Sequence, residues 1–94
     1  MLLMGKRHSD EIIAHAMEEN PNECCGILVG KDSEIHQTYR ITNTVKSPYR
    51  YLMDPEEFLN TERNAERQGW NLLAFYHSHT HSAAYPSPTD VRMA

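Results

Sequence analysis

Ile12, Ile13, Ala16 and Met17 recur at helical spacing behind a polar Ser9-Asp10-Glu11 opening. This predicts a helix with Ser9 as N-cap, acidic groups in a first turn that suits them, and a stop at Asn20-Pro21. The pattern then changes period. Cys24 to Gly30 is a short, almost continuous apolar run with β-branched members, read as a strand buried on both faces. Lys31-Asp32-Ser33 reads as a turn, and the alternation of Ile35, Gln37, Tyr39 and Ile41 as a half-exposed strand. Asn43 to Pro48 is loop, and Tyr49 to Met53 is expected as a short edge strand.

A second helix is the best-marked element. Asp54 is its expected cap, Pro55 fits the first position, Glu57 stands where a capping box would close, and Gly69 is a C-terminal stop. Phe58, Leu59 and Ala65 supply a modest apolar face. Leu72 to Tyr76 forms another buried strand that runs directly into His77. After a loop with Pro86 and Pro88, a third helix is predicted from near Ser87 to Ala94. Alternating helices and strands indicate one α/β (α+β) domain over residues 1–94, with helices packed on a mixed β-sheet.

Composition narrows the function. The 94 residues carry 9 Lys+Arg against 13 Asp+Glu, a net charge of −4. Nucleic acid or an anionic membrane surface as main partner would call for a basic face instead. No apolar run approaches a membrane span and the first ten residues lack a signal-peptide core, so a soluble, cytoplasmic protein is expected. Cys24 and Cys25 are adjacent, too close for ordinary disulfide geometry, and are expected reduced, one on each face of their strand. His8, His15 and His36 have no spacing partners and read as surface or helix-face residues.

The remaining histidines cluster: His77, His79 and His81. On an extended chain, residues two apart share a face, so His77 and His79 can reach one ion. Asp90, in the first turn of the expected helix, is the candidate third ligand. Two imidazoles and a carboxylate leave one tetrahedral position open, as in catalytic zinc sites. Ser87-x-x-Asp90 is equally a plain capping box needing no metal. His-x-His-x7-Ser-x-x-Asp arises by chance in about one sequence in a thousand of this composition, which favours the metal.

Tyr76-His77-Ser78-His79 and Tyr85-Pro86-Ser87-Pro88-Thr89-Asp90, together with Pro21 to Gly30 upstream, resemble the JAMM (MPN-plus) metallopeptidase family in its short prokaryotic form. The resemblance implies a JAMM/cytidine-deaminase-like fold and one Zn2+ per chain held by His77, His79 and Asp90. Glu23 would be the general base and Ser87 the oxyanion donor. The implied reaction is hydrolysis of an amide or isopeptide bond at the C-terminal tail of a ubiquitin-like sulfur-carrier protein.

Two departures stand out. Thr80-His81 replaces the proline common after the second histidine, and His81 is read as a neighbour of the metal, a substrate contact or a solvent-facing residue. Relatives also continue past Ala94, so the domain is expected to be incomplete at its C-terminal end, with an open sheet edge that invites self-association. A second reading is a non-catalytic module that binds a ubiquitin-like partner. A third takes the three histidines as an adventitious nickel, copper or zinc site.

Overall fold

A computed structural model describes residues 2–78 and the backbone of 91–93. Its elements are α1 (Lys6–Glu19), β1 (Cys25–Lys31), β2 (Glu34–Ile41), α2 (Pro55–Gln68), β3 (Asn71–His77) and β4 (Val91–Met93). The strands form one sheet in the order β2-β1-β3-β4. The class is α+β, as expected. The sheet is not mixed in its strand pairs, because β1–β2, β1–β3 and β3–β4 are all antiparallel. Parallel pairing among the described residues is confined to the single bridge Leu3–Glu34.

That bridge explains where α1 begins. Leu3 N donates to Ser33 O and Leu3 O accepts from Ile35 N, tying the N-terminal segment to the start of β2. The chain then enters the helix at Gly5, which makes no side-chain cap, rather than at Ser9. Ser9 lies inside the helix, its N–H bonded to Gly5 O. The buried face is His8, Ile12, His15 and Ala16, while Met17 is 64% exposed. Those four follow the helical repeat, so of the two readings open for His8 and His15, surface or helix face, both histidines take the helix face, turned inward.

The β1–β2 hairpin turns on Asp32 and Ser33, both at positive φ (54° and 69°), the backbone that matches the twist of the flanking strands. β1 is buried on both faces. Ile12, Ala16, Cys24, Leu28, Ile35, Ala74 and Tyr76 cluster on the α1 side; Cys25, Ile27, Val29, Ile41 and Ala65 cluster on the α2 side. Cys24 and Cys25 are free and divided between the two layers, as expected. Burial pushes the Cys24 thiol up and the Cys25 thiol up to about 12, which disfavours the reactive thiolate at both.

At α2 the Asp54 carboxylate accepts from Glu56 N and Glu57 N, Pro55 opens the helix, and Gly69 closes it at φ 77°. The capping box does not form. Asp54 N already donates to Thr42 O, and Glu57 instead grips Thr42 N (2.7 Å) and Thr42 Oγ1 (2.8 Å). Tyr49 to Met53 is not a strand. Only the isolated bridge Asn43–Met53 forms, because the Asn43 side chain takes the Leu52 N–H that a ladder would need. The predicted third helix is also corrected over 91–93, which pairs in register with Ala74–Tyr76 as β4. Pairing there satisfies backbone groups of β3 on the side away from β1. No helix among the described residues is long and apolar enough to cross a membrane.

His15 Nδ1 lies 2.7 Å from Tyr76 Oη, in an edge-on ring contact inside the α1 layer. Burial, helped by Arg40, lowers its pKa below 6.5 against the opposing pull of Glu19, Glu18 and Glu11. His8 is lowered too, by burial first and then by Arg7 and His36. The unfolded chain therefore takes protons first as the pH drops. Stability is full above about pH 6.5 and falls as pH passes through the range below it. The thermal midpoint should decrease between about pH 7 and pH 5.5. The double variant His15→Leu/Tyr76→Phe, which leaves no stranded hydroxyl, should show a shallower slope; an unchanged slope would clear His15 of the effect.

Candidate functional site

The site is built where the N-terminal end of β1 meets the C-terminal end of β3. Cys25 pairs directly with His77. Beyond that pair, Ser78 N donates to Cys24 O (3.2 Å) and Cys24 N donates to Ser78 Oγ (2.9 Å). The strands are thus stapled together past their last ladder residues. Glu23 lies two residues before Cys25 and so shares its face, diagonal to His77 and within reach of a long side chain.

The side chains meet. Glu23 Oε1 is 3.4 Å from His77 Nδ1. Glu23 is 3% exposed, whereas a carboxylate in a polar turn is ordinarily solvated. Its backbone is fixed from both sides: Glu23 N donates to Ser47 O (2.8 Å) and Asn43 Nδ2 donates to Glu23 O (3.0 Å). Buried Asn43 is the hub of the loop, since Nδ2 also donates to Arg50 O and Oδ1 accepts from Val45 N and Leu52 N. The same loop sends Tyr51 over the His77 ring, with centroids 4.8 Å apart and planes at 25°. One stretch of chain therefore sets both the carboxylate and the imidazole.

Of the residues singled out from sequence, Glu23 and His77 are brought together. His79, Ser87, Asp90 and His81 lie outside the described residues. Among the described residues no three His, Cys, Asp or Glu side chains converge as a metal cluster. His15 and His8 belong to the α1 layer, and His36 stacks on Trp70 (5.4 Å, 7°). Sequence reading missed Asn43, Tyr51 and Ser78. Ser78 carried a signal, because a residue between two same-face histidines must point to the opposite face and pack inward. Asn43 and Tyr51 carried none beyond loop composition.

Comparison with known proteins identifies the family. Over 85 residues the chain is 39% identical to the CysO-cysteine peptidase of Mycobacterium tuberculosis, covering 88% of this chain and 58% of that protein. Over 86 residues it is 38% identical to a probable TtuB-protein conjugate cleaving protease of Thermus thermophilus, covering 90% and 57%. The chain thus spans somewhat over half the length of these relatives. The solution structure of a protein from Desulfitobacterium hafniense superposes with a TM-score of 0.79 at 34% identity, over 96% of this chain and 64% of that one. Residues 5–94 match the family described as prokaryotic homologues of the JAB domain, and the chain belongs to that family.

Proposed function

We propose that the protein is a zinc-dependent hydrolase of amide or isopeptide bonds, acting at the C-terminal tail of a ubiquitin-like sulfur-carrier protein. The observation that carries this reading is the meeting of the buried Glu23 carboxylate with His77 at the end of β3. The relatives' names, a CysO-cysteine peptidase and a protease for TtuB conjugates, support the substrate class.

His77, His79 and Asp90 would hold the ion. The donor chemistry fits, since His77 offers an imidazole at a rigid strand end, walled by the Tyr51 ring. Zinc, when bound, supplies Lewis-acid polarisation of the scissile carbonyl and lowers the pKa of water toward about 7. The rest falls to the chain. Glu23 accepts a proton from the attacking water and returns it to the departing amine, a task for a carboxylate held in place rather than a solvated one. The clamps from Ser47 and Asn43 give that positioning, and Tyr51 restricts rotation of the His77 ring. Ser87 donates its hydroxyl to the carbonyl oxygen as negative charge develops there.

The test is hydrolysis of a sulfur-carrier protein joined through its C-terminus to an amino acid, followed by mass spectrometry. Activity is expected to disappear on chelation and to return with one equivalent of zinc per chain. Full activity in excess chelator would remove the metal from the mechanism.

A further inference from the structure

The proton path assigned to Glu23 also fixes the side on which the leaving amine must sit, because the carboxylate that takes the proton has to hand it over. A cavity of about 250 Å3 opens beside this residue. Among the described residues its walls are Glu19, Asn22, Glu23, Thr42, Asn43 and Lys46. Sites for drug-sized ligands run from roughly 300 to 1,000 Å3, so this one suits a single small group rather than a folded surface.

Its charges are specific. Glu19 and Glu23 are acidic, and Lys46 is the cation among these lining residues. Lys46 forms no ion pair among the described residues. It also sits at φ 45°, in the left-handed region where glycine or asparagine is less strained. The backbone that places it is the turn closed by Lys46 N donating to Asn43 O (3.3 Å), on the residue that clamps Glu23.

We propose that this cavity receives the amino acid released by hydrolysis, with the Lys46 ammonium binding its α-carboxylate; the inference rests on the hydrolase reading above and names its leaving group. In the reaction the acyl C–N bond breaks and the carbonyl carbon gains the hydroxyl of water. The nitrogen leaves with the proton relayed by Glu23 and is protonated to ammonium in solution. A single amino acid as leaving group carries a carboxylate one carbon from that nitrogen. Without Lys46 this carboxylate would face Glu19 and Glu23 and be repelled. Once freed, the product ammonium finds two acidic residues, Glu19 and Glu23, in the same lining, so the lining carries charges suited to both ends of a free amino acid. A lysine side chain as leaving group brings four methylenes to this position and no carboxylate.

The experiment compares a sulfur-carrier protein joined through its C-terminus to cysteine, to cysteinamide, or to the ε-amine of a lysine peptide. The wild-type protein loaded with zinc is expected to prefer the free-carboxylate conjugate over the carboxamide by about tenfold in kcat/KM, the effect of one partly solvated charged contact. Lys46→Asn, which suits the left-handed backbone, should erase that preference through KM and leave the carboxamide unaffected; Lys46→Arg should restore it. Dissociation constants of the cysteine and cysteinamide conjugates are measured on the same proteins. If nothing is cleaved but the carboxylate form binds about tenfold tighter in a Lys46-dependent way, the cavity assignment stands and the hydrolase reading falls. Equal affinity for the two forms, equal weakening of both by Lys46→Asn, or preference for the lysine conjugate overturns the assignment.

Discussion

Glu23→Gln is expected to lower hydrolysis of a carrier-protein conjugate by about a hundredfold to ten-thousandfold, the range for loss of a positioned general base. That is roughly 3–5 kcal/mol of transition-state stabilisation. The substitution is nearly isosteric and leaves the backbone bonds to Ser47 and Asn43 in place. The carboxamide keeps an oxygen to face His77 but cannot accept a proton from water. Substrate affinity should therefore change little while turnover collapses, and the thermal midpoint should move by no more than about 5 °C. Chain variants assayed side by side for turnover and melting separate the two effects. Turnover within about tenfold of wild type would mean that another group moves the proton.

Gly26→Ala should produce a large loss of stability. Gly26 pairs with Tyr76 across β1 and β3, and a Cβ at Gly26 would fall well inside van der Waals contact with the phenol ring. The ring has nowhere to go. Tyr76 is fully buried, and its hydroxyl is held by His15 at 2.7 Å. Overpacking in a tight core costs about 1–3 kcal/mol, and a rigid ring tied at both ends places this site at the upper limit, about 3 kcal/mol. For a domain of this size that is a drop of roughly 12 °C or more in thermal midpoint. Since Tyr76 precedes His77 on β3, activity should suffer even below the midpoint. Adding Tyr76→Leu should recover part of the stability. A melting curve for Gly26→Ala that matches wild type would show that the ring does not lie over the glycine.

Local signals in the sequence were enough for some elements and not for others, and the division has a physical cause. Asp54, Pro55 and Gly69 specify α2 because capping is decided within a few residues. The Cys24–Gly30 run specifies β1 because a strand covered on both faces must be apolar throughout. The start of α1 depends instead on Leu3 meeting the β2 end of a hairpin some thirty residues away, which no local pattern encodes. Glu57 was legible as a capping residue, yet the amide and hydroxyl of Thr42 outbid the cap because the Asp54 N–H was already satisfied.

The candidate site divides in the same way. His77 was named from residue type and spacing and Glu23 only through the family resemblance, and their approach follows from the register that sets Cys25 opposite His77. The supports of that pair were not legible. Asn43 and Tyr51 reach it from a loop whose folding is dictated by one buried carboxamide, and an asparagine in a loop is too common to announce such a role.

Cys24 and Cys25 have a use beyond packing. Neighbours in the chain, they lie beneath different helices, one sealed by α1 and the other by α2. Exchange-type labelling with a thiol reagent thus reads two separate openings from a single tryptic peptide, and the ratio of the two rates tells which half of the domain breathes more readily. The pair acts as an internal gauge of layer-by-layer motion, with no probe added to the chain.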